Sequence, residues 1–115
     1  MPTLILHTNV DLENKDEFIA GLSNVVSEML GKPLQYVMVG YQQMPMMFGG
    51  SSDPCLFAFF SSLGSFDNGG PKNKEFSKVL CEFISPRLSI PADRIYIQFS
   101  DPARTHFGWN GSTFG

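Results

Sequence analysis

The stretch LGKPLQYVMVGYQ at residues 30–42 decides the fold, because the chain repeats its pattern as LSIPADRIYIQFS at residues 88–100. Each copy contains a helix end, a proline and a run of strand-forming residues in the same order. Upstream, PTLILH from Pro2 and PCLFAF from Pro54 form a second matching pair, each with a proline that leads into a strand. The chain is therefore predicted to contain two β-strand–α-helix–β-strand units, with extra residues in the second unit at 65–71.

The helix of the first unit is predicted over residues 14–30, where apolar residues recur at gaps of three and four. Asn14 and Glu17 are placed to form a capping box at its start. Gly31 suits the left-handed position after its last turn, and Pro33 prevents its continuation. The segment therefore carries its own start and stop signals.

The second unit places a loop at residues 64–70 before its helix. Pro71 suits the first helical position, and Pro86 is expected to end or kink the helix one turn early. Four strands and a tail complete the pattern: residues 3–8, 36–42, 55–61 and 94–100, followed by one or two very short strands in residues 106–115.

These segments predict an α+β fold in which two βαβ units, related by a pseudo-two-fold axis, share one four-stranded sheet with both helices on one face. Alternate residues of the third strand are apolar on both faces: Leu56, Ala58 and Phe60 on one, Cys55, Phe57 and Phe59 on the other. Two helices cover only one face of such a sheet. We therefore expect self-association to cover the other face.

The length and charge of the chain limit its classes of function. The 115 residues suit a single domain, residues 1–115, and a formal net charge of −3 offers no general attraction for nucleic acid or anionic membranes. No signal peptide or membrane-spanning run is evident, so synthesis in the cytosol is expected. Cys55 and Cys81 are interpreted as buried free thiols rather than a disulfide. His7 and His106 lack a carboxylate pattern, so no metal site is expected.

Pro2 has two interpretations. As a strand-starting residue it matches Pro54. As the mature N-terminus, after removal of Met1, it would carry a secondary amine that acts as a base when neutral. An apolar pocket and a nearby cation both disfavour the charged form of an amine and lower its pKa, and Lys32 is the candidate cation.

Five motifs, in this order, resemble the macrophage migration inhibitory factor family over the whole chain. They are MP at the start, GKP at 31–33 followed by YVMV, FGGSSDPC at 48–55, DRIYI at 93–97 and GWNGSTFG at 108–115. The resemblance implies a homotrimer whose sheets line a central barrel, and cofactor-free keto–enol tautomerisation of phenylpyruvate-like or dopachrome-like substrates by Pro2. It also implies a cytokine-like protein that leaves the cytoplasm without a leader and binds a cell-surface receptor.

By this resemblance, Pro2 is the catalytic residue and the substrate contacts come from two subunits. One chain is expected to supply Pro2, Lys32 and the backbone near Leu63, and its neighbour the remaining contacts. Those are Tyr96, Gln98, Phe107, Trp109 and Phe114.

Several of these residues also have a purely structural interpretation. Lys32 suits a solvated turn, where its charge complements the dipole at the C-terminal end of the first helix. Tyr96 and Gln98 point to the same face of the fourth strand and also fit a subunit interface. Trp109, the only tryptophan, also fits a C-terminal packing anchor.

The chain departs from the family pattern at positions that affect substrate range. Gln98 replaces a usual Asn, and Thr3 and Phe107 replace usual aliphatic residues. Ser65 stands where a Lys often follows the glycine, in a loop that is longer than usual. Because Cys55 does not begin a CxxC pattern, no thiol-oxidoreductase activity is expected.

Two functions follow from these observations, and they are compatible. The first is a tautomerase with Pro2 as its general base. The second is an extracellular interaction protein whose pocket has little catalytic role. A housekeeping oligomer that binds an unrelated small molecule is a third hypothesis.

Overall fold

The computed structural model describes residues 1–66 and 70–115, so part of the predicted 64–70 loop lies outside the described residues. Helices and strands alternate in the predicted order, with small differences at their ends. The elements are β1 (Thr3–Thr8), α1 (Lys15–Leu30), β2 (Met38–Gln43), β3 (Leu56–Ser61), α2 (Gly70–Leu88), β4 (Ile95–Ser100), β5 (Gly108–Trp109) and β6 (Ser112–Thr113). Short 3₁₀ turns precede β2, β4 and β5: Leu34–Tyr36, Ala92–Arg94 and Arg104–His106.

The first four strands form one mixed sheet in the order β2-β1-β3-β4. β1 pairs with β2 in parallel and β3 pairs with β4 in parallel. The two units meet where β1 and β3 pair antiparallel. Antiparallel pairing of the two equivalent central strands is what a pseudo-two-fold axis between the units requires. The predicted fold class is confirmed.

Both helices cover the same face of the sheet, because buried residues of both join those of one sheet face in a single cluster. The cluster includes Leu22 and Val26 from α1, Leu80 and Ile84 from α2, and Leu4, Leu6, Leu56, Ala58 and Phe60 from the strands. The strand members alternate along the chain, so the residues between them point to the opposite face. The core therefore lies between the helices and one face of the sheet, as predicted.

The sequence makes a separate prediction for each end of α1: a capping box at the start and a left-handed glycine at the end. At the C-terminal end, Gly31 has a φ of +66°, which is the predicted left-handed conformation. At the N-terminal end, the side chain of Asn14 makes no capping hydrogen bond, so the predicted capping box with Glu17 is wrong. The backbone of Asn14 lies at φ −101° and ψ 60°, outside the extended region from which an N-cap side chain reaches the first-turn amides.

The second helix, α2, begins at Gly70, immediately before the predicted start at Pro71, and continues through Pro86 to its last residue. Pro86 is predicted to end or kink the helix, and the first of these alternatives is wrong. Pro86 lies in the last turn, where its missing N–H affects little of the remaining helix. The side chain of Arg87 also donates to the carbonyl oxygen of Phe83 at 2.9 Å, which stabilises this turn.

The second face of the sheet carries large apolar side chains that the described helices leave uncovered. Phe59 on β3 is 36% exposed, and Tyr96 on β4 and Met38 on β2 are 62% and 64% exposed. The sequence predicted that this face needs a partner. The exposure of these side chains agrees with that prediction.

Both cysteines are free thiols in the structure. Cys55 is buried, as predicted, whereas Cys81 on α2 is only half-buried. Within residues 1–66 and 70–115, no helix is long and apolar enough to cross a membrane.

Candidate active site

The N-terminus of the chain lies at a pocket of about 440 Å³. The start of β1, the segment before β2, the end of β3 and the C-terminal segment all contribute to it. Its lining includes Met1, Thr3, Tyr36, Ser61, Phe107 and Trp109. Thr3 and Ser61 are paired neighbours on β1 and β3, so two hydroxyl-bearing side chains stand together in a mainly apolar lining.

One side of the pocket is lined by Phe107 and Trp109, and these two rings form an aromatic wall together with Phe114, which packs against both. The rings of Trp109 and Phe114 are stacked, with centroids 5.9 Å apart and an interplanar angle of 14°. Phe107 packs against Phe114 with centroids 5.8 Å apart. Tyr36 meets Trp109 edge-on at 6.5 Å, which joins the turn before β2 to the wall. Such a lining suits a planar aromatic ligand.

The terminal amine at this pocket, which belongs to Met1, has a pKa below the usual value of an α-amino group. Partial burial is the main cause, because it disfavours the charged form. The positive charges of Lys32 and then Arg104 lower the pKa further, and the negative charge of Asp101 opposes them. The site therefore favours a neutral amine, which is the form that accepts a proton.

Lys32 is held by the turn that ends α1. The hydroxyl group of Ser27 donates to the carbonyl oxygen of Lys32 at 2.6 Å, and the amide of Lys32 donates to the carbonyl oxygen of Ser27 at 3.1 Å. Left-handed Gly31 makes this tight reversal possible. The charge of Lys32 consequently acts on the terminal amine from a fixed backbone position.

Leu63 is buried in a turn that Asp101 organises. The carboxylate of Asp101 accepts hydrogen bonds from the amides of Gly64 and Phe66, at 3.0 and 3.1 Å. Because Asp101 also acts on the pKa of the terminal amine, this turn lies at the same end of the sheet as the N-terminus. Leu63 itself does not line the pocket, and its backbone contribution stays a prediction.

With Met1 in place, it is Met1 rather than Pro2 that lines the pocket. The side chain of Pro2 is fully buried, and its carbonyl oxygen accepts a hydrogen bond from the amide of Met38 at 3.0 Å. The start of β1 is therefore fixed against β2. Pro2 has the strand-starting role that its match with Pro54 predicted.

Tyr96 and Gln98 lie outside this pocket, on the uncovered sheet face. Tyr96 lines a second pocket of about 340 Å³, and its ring packs against Phe48 with centroids 4.6 Å apart. Gln98 pairs in register with Phe59, whose side chain reaches the main pocket. The chain by itself therefore does not bring Tyr96 to the terminal amine.

The sequence model of the macrophage migration inhibitory factor family matches residues 1–115. The chain belongs to this family. It is 40% identical to macrophage migration inhibitory factor of Xenopus tropicalis and to that of Rattus norvegicus, over 99% of each chain. The crystal structure of the homologue from Prochlorococcus marinus superposes with a TM-score of 0.92 at 38% identity, covering 98% of this chain and 99% of that one. The factor from Trichinella spiralis gives 0.90 at 32% identity, covering 97% and 99%.

Membership of the macrophage migration inhibitory factor family confirms the resemblance predicted from the five motifs. One detail of the predicted site is wrong. Phe107 and Trp109 line a pocket with the N-terminus of their own chain, and Phe114 stacks on Trp109. A neighbouring subunit is therefore not needed to supply the aromatic wall, because the C-terminal segment returns to the start of β1 in the same chain.

Three residues of the site are not predicted from the sequence: Tyr36, Asp101 and Arg104. Tyr36 ends the 3₁₀ turn before β2 and lines the pocket, and its aromatic side chain is the available signal. Arg104 and Asp101 act on the pKa of the terminal amine from the segment after β4. Nothing in their local sequence pattern indicates this, because their proximity to the N-terminus arises only in the folded chain.

Proposed function

We propose that this chain is a cofactor-free keto–enol tautomerase in which Pro2, exposed by removal of Met1, is the general base. The observation that carries the proposal is the position of the N-terminus, at an aromatic-lined pocket where burial and two cations lower the pKa of the Met1 amine. Removal of Met1 would free the nitrogen of Pro2, which would then be the terminal amine. Aromatic 2-keto acids such as phenylpyruvate, and dopachrome-like rings, match the chemistry of the lining.

The proposed reaction moves a proton between carbon and oxygen. The neutral amine of Pro2 takes a proton from the carbon next to the keto group, and the electron pair of that C–H bond forms the enolate. The protonated amine then gives the proton to the enolate oxygen, which yields the enol and restores the base. Lys32 would bind the substrate carboxylate and hold the acidic carbon against the amine.

Lowering the pKa of the amine is only part of this mechanism. An α-amino group with an ordinary pKa of about 8 is roughly one-tenth neutral at neutral pH, so complete neutralisation raises the active fraction at most about tenfold. Enzymes typically accelerate reactions by about 10⁶-fold or more. Most of the acceleration must therefore come from positioning the substrate and from stabilising the enolate oxygen.

We further propose that the active unit is a homotrimer. The exposed apolar side chains of Phe59 and Tyr96 give the uncovered sheet face the character of an interface. Tyr96 and Gln98 share that face and do not line the pocket at the N-terminus of their own chain. A neighbouring subunit packed on the face could supply its Tyr96 and Gln98 to the pocket.

A cytokine-like interaction protein is the second candidate function. The names of the relatives from Xenopus tropicalis and Rattus norvegicus favour it, and so do exposed apolar side chains such as Met47, which is 71% exposed. In this alternative, the protein is made in the cytoplasm, exported without a leader and bound by a cell-surface receptor. The pocket would then contribute shape rather than catalysis.

A Pro2→Gly variant, with Pro54→Gly as its matched control, tests the tautomerase. Both prolines lead into a strand, but only Pro2 is able to supply the terminal amine. We expect Pro2→Gly to lower phenylpyruvate tautomerisation by about 100-fold or more, and Pro54→Gly to leave it near the parent value. Intact mass should show that the active parent chain lacks Met1. Full activity in folded Pro2→Gly, or in protein that retains Met1, would exclude Pro2 as the base.

A further inference from the structure

Arg104 connects the two ends of the C-terminal segment. It begins the 3₁₀ turn Arg104–His106 that leads into Phe107. Its Nε donates to the carbonyl oxygen of Phe114 at 3.1 Å, and the amide of Phe114 donates to the carbonyl oxygen of Phe107 at 3.2 Å. These two hydrogen bonds close the segment at its base, behind the stacked rings of Trp109 and Phe114.

The aromatic wall depends on such a closure because its own strands are very short. β5 and β6 contain two residues each, and the turn between them uses Asn110 and Gly111 at φ +52° and +76°. An isolated hairpin is marginally stable at best, and one this short gains little from its ladder. The side chain of Trp109 is 56% exposed, so packing alone does not hold it in place.

Arg104 also lies where its charge acts on the N-terminus. The charged groups that act on the terminal amine are Lys32, from the turn after α1, and Arg104 and Asp101, from the segment after β4. Lys32 and Arg104 lower the pKa of the amine, and Asp101 raises it. The two cations thus come from different halves of the chain and act on the same amine.

We propose that Arg104 is a positioning residue of this site, which anchors the aromatic wall through the carbonyl group of Phe114. This inference rests on the proposed tautomerase function. The anchoring keeps Phe107 and Trp109 in the arrangement that binds an aromatic substrate. The charge of Arg104 also favours the neutral form of the terminal amine.

Three substitutions separate the two roles. Arg104→Gln keeps a hydrogen-bond donor and removes the charge, Arg104→Lys keeps the charge, and Arg104→Met removes both. Trp109, the only tryptophan, reports the state of the wall through quenching of its fluorescence by acrylamide. NMR titration of the N-terminal residue gives the pKa of the amine whether or not the protein is catalytically active.

We expect the pKa of the amine to rise in Arg104→Gln and Arg104→Met, and to stay near the parent value in Arg104→Lys. The acid limb of kcat/KM for phenylpyruvate should move to higher pH in the first two variants. Only Arg104→Met should both increase the quenching of Trp109 and raise KM, because it alone loses the hydrogen-bond donor that anchors the wall.

The inference is overturned if Trp109 is quenched equally in Arg104→Met and the parent. Failure of the proposed function looks different. In that case the parent shows no tautomerase activity, while the titration and the quenching still respond to the substitutions.

Discussion

The hydroxyl group of Ser27 donates to the carbonyl oxygen of Lys32 at 2.6 Å, and the amide of Lys32 donates back to the carbonyl oxygen of Ser27 at 3.1 Å. The second unit repeats both bonds, at the same distances, between Ser85 and Ile90. The two turns are therefore built alike. One ends in a half-buried cation and the other in a buried aliphatic residue, so only the first turn carries a charge.

Ser27→Ala should affect both stability and activity, because the bond it removes supports the turn that carries Lys32. We expect a loss of about 1 kcal/mol in the free energy of unfolding and a few-fold fall in kcat/KM for phenylpyruvate. Ser85→Ala is the matched control and should lose similar stability with little change in activity. Urea unfolding measures the stability of each variant, and steady-state kinetics measure its activity. Equal activity losses in the two variants would show that the Ser27 bond does not position Lys32 for catalysis.

Lys32→Gln should raise the pKa of the terminal amine, because removal of a positive charge stabilises the protonated amine. A smaller fraction of the base is then neutral in mildly acidic buffer, so kcat/KM should fall there and its acid limb should move to higher pH. In alkaline buffer the base is neutral in both proteins. Any loss that persists there measures the contribution of Lys32 to binding of the substrate carboxylate.

The pH profile of kcat/KM checks this prediction, with Lys78→Gln on the exposed surface of α2 as the control. Lys78 is not among the charges that act on the amine, so its profile should match the parent. A Lys32→Gln profile that falls equally at every pH would contradict the electrostatic role and leave only substrate binding.

Arg94 should contribute more to stability than its partly exposed position suggests. Its guanidinium group donates to the carbonyl oxygens of four residues in the loop between β2 and β3. These residues are Phe48, Ser51, Asp53 and Pro54. Arg94→Lys cannot span all four carbonyls, so we expect a loss of about 2 kcal/mol in the free energy of unfolding.

Arg87→Lys is the control for this change, because Arg87 donates to one carbonyl oxygen and otherwise stacks on Phe83. Chemical denaturation should rank Arg94→Lys well below Arg87→Lys in stability. Because Phe48 packs on Tyr96, Arg94→Lys should also change the tyrosine environment seen by near-ultraviolet circular dichroism. Equal stability of the two variants would contradict the organising role of Arg94.

The elements that the sequence predicts well are those whose signals are local. The apolar spacing of α1 and the glycine at Gly31 act within a few residues, and both predictions match the structure. The signal at Asn14 is equally local, but the backbone that enters α1 adopts a conformation unsuited to capping. Pro86 is tolerated because so little of α2 follows it. Local signals therefore fail where the surrounding chain sets the backbone path.

The site is harder to predict because it is made of residues that meet only after folding. Lys32 and Trp109 were found through family motifs, and the structure places the charge of one and the ring of the other at the N-terminus. The role of Arg104 has no signal in the sequence. Its side chain donates to the backbone carbonyl oxygen of Phe114, and a residue of any type at that position would offer the same acceptor. Which subunit supplies the aromatic wall also depends on the path of the C-terminal segment, and spacing does not encode that path.

Phe57→Asp should separate the folding of one chain from assembly of the proposed trimer. Phe57 lies on the uncovered face of β3, in register with His7 on β1 and Tyr96 on β4. The substitution at Phe57 does not alter Leu56 and Ala58, the neighbouring residues of the same strand, which are buried in the core. A charge in an apolar interface is costly unless it is paired, so we expect a folded monomer with at least about tenfold lower tautomerase activity.

Sedimentation and circular dichroism measure assembly and folding, and Ala20→Asp, on the exposed surface of α1, is the control that should stay trimeric and active. Phe57→Asp protein that remains a fully active trimer would show that this face is not the interface. A folded, fully active monomer would instead show that one chain completes the site. In that case Tyr96 and Gln98 of a neighbouring subunit would have no part in catalysis, and the exposed face would need another explanation.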